Sequence, residues 1–363
     1  MLVETDAAWL AAQAHALDSD ASLATEVVPR LARAGLFAHG VPEHLGGLGG
    51  KISLAIESVA QVASLSLSAA FVLWAQCVMI QMLSQSDRTA LRDLHVERLM
   101  AGRTAGAPGL SNIIKFLSGI EAINVVATPA PHGGWTLKGT VPWCTNLRRE
   151  RFLVAIAVAK DEGGPPMIVA LPSDRTGLMR SGDLDLIALR GTNTASIALD
   201  AVQIESSDLL ADIAPTFLPR VRPVFLGLQC GLSIGLARAS VAQALQNAAS
   251  AEHILAAPIK ELAQRLEATA DTLKSGVDNG TFVDSPHRLF RLRLELNACV
   301  QEAIQFELQA SGGRAFLRRG DFIRRWRESA FIPIVTPSVT QLLAELAKHP
   351  TRSAAAGNSS GLF

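Results

Sequence analysis

The sequence predicts an α+β protein that is mainly α: an N-terminal helical domain, a middle β-barrel or sandwich domain and a C-terminal helical bundle. Apolar residues recur at helical spacing up to about residue 103 and again from about residue 217, whereas the period between them falls to two. A chain of 363 residues is long enough for two or three domains with a large core. We set the domain boundaries at 1–103, 104–212 and 213–350, followed by a flexible tail, 351–363.

The N-terminal domain contains one conspicuous loop and one very apolar run. In the loop, 40–50, Pro42 and repeated glycines disfavour regular structure. The run Ala69–Leu83 is interrupted by Gln76 and Gln81 and is shorter than the roughly 20 residues that span a bilayer. We therefore predict a buried core helix there and no membrane partner.

Short alternating segments predict the middle domain, and Gly133-Gly134 and Gly163-Gly164 mark turns between them. Several short strands within about a hundred residues are typical of a small barrel or sandwich. The third region, 217–347, returns to long helices, and short loops between antiparallel helices favour a bundle. The predicted strands are Ala122–Thr128, Trp135–Thr140, Phe152–Ala159, Met167–Leu171 and Thr194–Ile204.

Composition and cysteine spacing exclude several functional classes. Lys plus Arg equals Asp plus Glu, at 33 each, so the charge balance does not favour a nucleic-acid partner. Four cysteines lie far apart without C-x-x-C spacing, which argues against a metal site and against a disulfide framework. The first residues carry Glu4 and Asp6 rather than a basic segment, so we expect no signal peptide and a cytoplasmic location.

Four phrases, in this order, resemble those of the acyl-CoA dehydrogenase family of flavoproteins. The loop 40–47 looks like the family's loop after its second helix, and Trp143-Cys144-Thr145-Asn146 looks like its W-I-T-N. Residues 190–195 resemble its R-G-S-x-T-A phrase, and 309–313 resemble its Q-x-x-G-G. The resemblance implies a divergent member whose C-terminal region is a four-helix bundle.

The resemblance also implies a flavin, FAD or alternatively FMN, and residues that bind it. An indole at Trp143 supplies a flat apolar wall and Thr145 a hydrogen-bonding group at the ring edge, while glycines allow a backbone to approach a nucleotide closely. In the family, the Q-x-x-G-G phrase meets a flavin held by the neighbouring subunit, so a homodimer or homotetramer is implied. The expected flavin-binding residues are Ser111, Trp143, Thr145, Gln309, Gly312, Gly313 and Thr336.

The expected catalytic base is missing. Family members remove the α-proton of an acyl thioester with a Glu, usually in a Y-E-G-T phrase that corresponds here to residues 333–336. That Glu position is Ile334, and the alternative position on the first bundle helix is Phe225. The nearest acids, Glu328 and Glu345, are expected to face solvent, so the catalytic residue is unknown.

Phosphate and acyl-CoA contacts also depart from the family pattern. The acyl-CoA segment T-E-P-x-x-G-S-D keeps only Pro, Gly and Ser in 106–112, and the Arg of R-x-x-F-G is replaced by Glu252. Two groups of arginines are alternative phosphate ligands. The group within residues 314–327 could equally form a solvated helix face with intersubunit ion pairs. These groups are Arg314, Arg318, Arg319, Arg324, Arg325 and Arg327, and Arg148, Arg149 and Arg151.

Three functions are consistent with the sequence. The first is a flavin-dependent oxidoreductase that oxidises an acyl thioester, such as an acyl-CoA, or a related small molecule at CH–CH. The second is a flavin-dependent monooxygenase of the same fold, which takes reduced flavin from a partner reductase and needs no α-proton base. Against it, its relatives carry a histidine near the flavin, and the segment where we would expect one, 73–77, has none. His39, His44 and His253 have no assigned place. The third is a degenerate, non-catalytic member.

Overall fold

The computed structural model describes residues 2–248, 252–318 and 320–348. The predicted tail 351–363 and Arg319 lie outside these residues. The α-helices are α1 Glu4–Ser19, α2 Ala24–Arg33, α3 Ile52–Leu65, α4 Leu67–Ser84, α5 Thr89–Met100, α6 Ser111–Leu117, α7 Ala214–Asn247, α8 Glu252–Asp278, α9 Thr281–Asp284, α10 Pro286–Ser311, α11 Asp321–Ser329 and α12 Val339–Lys348. The strands are β1 Ala105–Gly109, β2 Val125–Pro129, β3 Trp135–Cys144, β4 Phe152–Lys160, β5 Met167–Pro172, β6 Leu178–Asp183, β7 Ala195–Ile204 and β8 Leu209–Ala211.

Helices therefore flank a β region, in the order that the hydrophobic period predicts. Within the described residues, α4 and α7 are long and apolar enough to cross a membrane by length and composition. Their apolar windows are 94% and 89% buried inside the protein, respectively. A core helix of a folded protein is also long and apolar, because packing in the core removes its apolar surface from water just as a bilayer would. The prediction of a buried helix over 69–83 is confirmed.

A row of glycines on α7 brings this helix close to α3. A Cβ added at Gly235 would lie 2.1 Å from the carbonyl oxygen of Ala60, and one added at Gly231 would lie 2.8 Å from that of Ile56. Because these glycines are four residues apart, they lie on one face of α7. The two backbones pack almost directly against each other, which joins the N-terminal helices to the C-terminal helices in one core.

The sheet has the strand order β6-β7-β3-β2-β4-β5-β8, with β1 paired to β4 off this path. Strand β4 is buried over most of its length and pairs in parallel with β1 and β2 and antiparallel with β5.

Three strands, β1, β6 and β8, were not predicted. The sequence of β1 is Ala-Gly-Ala-Pro-Gly, without the β-branched residues that mark a strand. Its small residues suit its place against α4, since a Cβ at Gly106 would lie 2.7 Å from Met79 Cβ.

Candidate active site

A cavity of about 450 Å³ lies where the sheet meets α4, α6, α7 and the segment 330–336. Six residues that the sequence places at flavin-binding or catalytic-base positions line its walls. Four are predicted flavin ligands, and the other two occupy the positions at which family members carry a base. They are Ser111, Trp143, Thr145 and Thr336, and Phe225 and Ile334. Residues distant in sequence thus converge on one cavity of the size that a small-molecule site requires.

Aromatic rings form much of the cavity wall. Trp143, near the end of β3, is 55% exposed and is therefore free to cover a ligand. Phe71 and Trp74 on α4 stack at a centroid distance of 5.2 Å, and Phe225 and Phe331 meet them edge-on. The Trp74 Nε1–H donates to the Phe225 carbonyl at 3.3 Å, so its polar atom is satisfied. No pattern in the sequence marks this cluster as part of a site, because aromatic residues in a helix usually signal core packing.

A hydrogen-bond network fixes the strand end that carries Thr145. Asn146 Nδ2 donates to Gln76 Oε1 and to the Gly106 carbonyl, both at 2.9 Å. The Asn146 backbone N–H donates to the Thr192 carbonyl at 3.0 Å, which joins the segment 143–146 to the turn at 190–192. Asn146 has φ of +63°, a conformation that Asn tolerates better than most residues. These contacts hold the Thr145 side chain at the cavity wall.

Three threonine hydroxyls form a chain that ends at the cavity. Thr192 Oγ1 donates to the Leu189 carbonyl at 2.7 Å and lies 2.7 Å from Thr194 Oγ1, which is 2.8 Å from Thr145 Oγ1. Each hydroxyl has a single hydrogen. Because Thr192 uses its hydrogen on the carbonyl, Thr194 donates to Thr192, and Thr145 donates to Thr194. Thr145 therefore presents only lone pairs to the cavity.

Among the described residues, the cavity walls carry no carboxylate. Ile334 is 67% exposed and Phe225 is nearly buried, and neither can accept a proton. Cys144 also lines the cavity, but burial raises the pKa of its thiol to about 12, so it remains protonated. None of His39, His44 and His253 lies on the walls. Lys115 also lines the cavity, but its Nζ pairs with Glu121 at 3.3 Å. The cavity therefore provides shape, aromatic surface and hydroxyl groups rather than a carboxylate base.

Two arginines of α11, Arg324 and Arg325, are engaged inside the chain, contrary to both alternatives considered for them. Arg324 pairs with Glu328 at 2.8 Å and Arg325 with Glu307 at 2.5 Å, and both carboxylates are fully buried. The expectation that Glu328 faces solvent is wrong, and burial raises the pKa of its carboxyl although Arg324 opposes the rise. The sequence predicts a solvated face here because charged residues on a short amphipathic helix usually face water. The distant partners that bury these charges are visible only in the folded structure.

One basic opening adjoins the cavity and shares Leu186, Ile187 and Arg327 with it. His15, Arg190 and Arg318 line the same opening. Arg327 is held by Asp18 at 2.5 Å and Arg190 by Asp185 at 3.0 Å. The second predicted arginine group is largely committed elsewhere, since Arg148 pairs with Glu150 and Arg149 with Asp183. Among the described residues, three arginines line this opening against one carboxylate, that of Asp185, so the opening is the better position for an anionic group.

Gln309, Gly312 and Gly313 do not line the cavity. They lie at the end of α10 and in the turn after it, and all three are exposed. Gly312 has φ of +57°, and a Cβ at either glycine would meet nothing within 4 Å inside the chain. The surface is therefore open to a second molecule, and the assignment of these residues to a neighbouring subunit's flavin stays a prediction.

Comparison with known proteins gives two groups of relatives. No family model matches the chain. It is 28% identical over 213 residues to the probable acyl-CoA dehydrogenase YngJ of Bacillus subtilis, covering 56% of this chain and 54% of that protein. It is 32% identical over 117 residues to the probable FMNH2-dependent monooxygenase SfnC of Pseudomonas putida, covering 31% and 30%. The matches span about half or less of the length of these curated relatives.

Solved structures resemble the chain over nearly its whole length. Butyryl-CoA dehydrogenase from Megasphaera elsdenii superposes with a TM-score of 0.80 at 17% identity, covering 95% of this chain and 94% of that one. FMN-bound TdsC from Paenibacillus sp. A11-2, a dibenzothiophene monooxygenase, gives 0.78 at 18% identity, covering 95% and 96%. At these identities the likeness shows the fold alone. The predicted α+β fold and the resemblance to acyl-CoA dehydrogenases are confirmed.

Proposed function

We propose that the protein is a flavin-dependent oxidoreductase whose cavity binds the ring of FAD or FMN. Trp143 covers the ring, Thr145 contacts its polar edge, and Arg190, Arg318 and Arg327 neutralise the flavin phosphate at the adjoining opening. The flavin supplies the two-electron chemistry that the protein's own side chains lack. A homo-oligomer completes the site through Gln309, Gly312 and Gly313, and the cytoplasm is its proposed location.

The form of this function that the geometry supports best is a monooxygenase that takes reduced flavin from a partner reductase. The observation that carries it is the absence of a carboxylate from the cavity walls within the described residues. Removal of an α-proton needs a base within hydrogen-bond reach, whereas oxygenation of a substrate by O₂, with reduced flavin as the electron donor, does not need that base. Similarity to an FMNH2-dependent monooxygenase supports the same choice.

The threonine chain supports binding of the reduced form. Thr145 can only accept a hydrogen bond while Thr192 and Thr194 keep their partners. A flavin offers a hydrogen at N5 only when reduced, and N5 is the ring atom that we assign to Thr145. With oxidised flavin, two lone pairs would face each other. The chain therefore disfavours oxidised flavin.

Thr194→Val tests this assignment. We expect the wild-type protein to bind reduced flavin about fivefold or more tightly than oxidised flavin, since one hydrogen bond is worth about 1 kcal/mol or more. In the variant, Thr145 is free to donate to oxidised N5, so the preference shrinks. The midpoint potential of bound flavin should fall by about 30 mV per tenfold change. Anaerobic titrations of both redox forms measure this change.

Thr140→Val is the control, because Thr140 lies exposed on the same strand as Trp143 and away from the cavity. It should leave both affinities unchanged. Equal binding of the two redox forms by the wild-type protein would contradict the role of Thr145. Failure to bind either form, or no oxygenated product from O₂, reduced flavin and candidate substrates, would contradict the proposed monooxygenase.

Oxidation of an acyl thioester is the second candidate, and similarity to the probable acyl-CoA dehydrogenase of Bacillus subtilis favours it. It requires a base that this cavity lacks. Ile334→Glu would supply a carboxylate at the matching position on the cavity wall.

We expect Ile334→Glu to change the free energy of unfolding by no more than about 0.5 kcal/mol, because the side chain is 67% exposed. If the cavity admits an acyl thioester, a short-chain acyl-CoA should then bleach the absorbance of bound flavin under anaerobic conditions. Ile187→Glu, at another exposed cavity position, is the control and should not gain this reaction. A large loss of stability in Ile334→Glu would show that this residue is packed in the core.

A further inference from the structure

A second, smaller pocket of about 200 Å³ adjoins the cavity. Ile114 and Phe225 line both spaces, so a ligand can extend from one into the other. Side chains from α6, α7, α10 and α12 form the pocket, and most are apolar, for example Leu218 and Phe290. Such a space suits the apolar part of a small molecule.

Two hydrogen-bond donors in this pocket have no partner. The Nε of Arg222 and the Nε2 of Gln341 are buried and form no hydrogen bond. Gln341 is only 3% exposed, and its Oε1 accepts from the Ser338 backbone N–H at 2.8 Å, which leaves the NH₂ end free. Unsatisfied buried donors are costly, and in a pocket they indicate a missing acceptor.

Arg222 also lacks a carboxylate partner within ion-pair distance in the described part of the chain. Its guanidinium lies 5.8 Å from the centre of the Phe290 ring. Burial lowers its pKa, while Glu345 acts in the opposite direction. The guanidinium nevertheless stays charged, because the ordinary pKa of arginine is so high. Glu345 lines the pocket too, but it pairs with Lys348 at 2.5 Å.

We propose that this pocket binds the carboxylate of the substrate, with Arg222 and Gln341 as donors and the apolar body of the substrate reaching towards the cavity. The Nε edge of a guanidinium matches the two oxygens of a carboxylate, and the amide NH₂ supplies a further donor. The existence of an anion site follows from the unpartnered donors of Arg222 and Gln341 in the pocket. The inference that the bound anion is the substrate rests on the proposed function. The protein then acts on small apolar carboxylic acids.

Calorimetric titration with hexanoate, hexanamide and inorganic phosphate tests this proposal, in the presence and in the absence of reduced flavin. Hexanoate and hexanamide share the apolar tail and differ in charge. We expect hexanoate to bind at least about tenfold more tightly than hexanamide, because hydrogen bonds to charged groups are stronger than neutral ones. Phosphate should bind weakly, since it has no apolar body. Equal binding of acid and amide, or tighter binding of phosphate, would overturn the carboxylate assignment.

Variants locate the binding site. Arg222→Gln should abolish the preference for hexanoate and leave hexanamide affinity unchanged, and Gln341→Leu should weaken hexanoate binding by a smaller factor. Arg220→Gln is the matched control, since Arg220 lies two residues away on α7, is exposed and pairs with Asp87. Thermal unfolding checks that each variant folds. Unchanged hexanoate binding in both pocket variants would overturn the proposal.

Separate flavin titrations distinguish this proposal from the proposed function. Flavin binding without Arg222-dependent hexanoate binding refutes the anion site alone. Arg222-dependent hexanoate binding without flavin binding supports the anion site and refutes the monooxygenase, and with it the assignment of the acid as substrate.

Discussion

Replacing Glu307 with alanine is expected to lower the free energy of unfolding by about 3–5 kcal/mol, because it strands a buried charge. Glu307 lies in α10 and is fully buried, where it binds both Nε and Nη2 of Arg325 on α11. Removal of the carboxylate leaves the guanidinium without its counter-ion in the protein interior. Urea unfolding followed by circular dichroism measures the change.

An exposed ion pair on the same helix provides the control. Glu302 on α10 pairs with Arg265, and both side chains are well exposed. Glu302→Ala should therefore cost no more than about 1 kcal/mol. Combining Glu307→Leu with Arg325→Met should recover most of the stability lost in Glu307→Ala, since an apolar pair of similar volume avoids the desolvation cost. Equal effects of Glu302→Ala and Glu307→Ala would contradict the burial argument.

Replacing Trp143 with alanine is expected to weaken flavin binding by about 5- to 150-fold. This range corresponds to the roughly 1–3 kcal/mol that stacking of an aromatic side chain on a nucleobase, a flat ring system like that of a flavin, contributes. Because Trp143 is 55% exposed, the fold should lose little stability. Fluorescence titration of the flavin, together with a thermal melt, measures both quantities.

Trp135→Ala separates loss of a cavity wall from loss of a strand tryptophan. Trp135 lies at the opposite end of the same strand and does not line the cavity. It should leave flavin affinity unchanged, whatever its effect on stability. Unchanged flavin affinity in Trp143→Ala would remove this residue from the proposed site.

The sequence predicts those elements whose signal is local. Hydrophobic period alone locates α4 and the longer strands, because a buried helix and a half-buried strand each repeat their apolar residues. Strand β1 is hidden, since its small residues are dictated by Met79 on α4 and not by strand propensity. Strand β8 has only three residues, which is too short for a periodic pattern.

In the site, too, the sequence predicts the residues that belong to a local pattern and not those whose partners are distant in the chain. Trp143 and Thr145 stand in a phrase that can be read directly, and they lie at the cavity. The partners of Arg325 and Arg327 are Glu307 and Asp18, and no local pattern connects Asp18 with a helix about three hundred residues later. The free donors of Arg222 and Gln341 become visible only when α7 and α12 are packed together.

The glycine face of α7 has a consequence for synthesis of the chain on the ribosome. Its packing partner α3 ends at Leu65, whereas Gly235 is made about 170 residues later. At roughly 5–20 residues per second, that interval is on the order of 10–30 s. Throughout it the nascent N-terminal helices lack the surface that covers Val59 and Ala60. The apolar face of the newly made α3 therefore stays without its partner until α7 emerges.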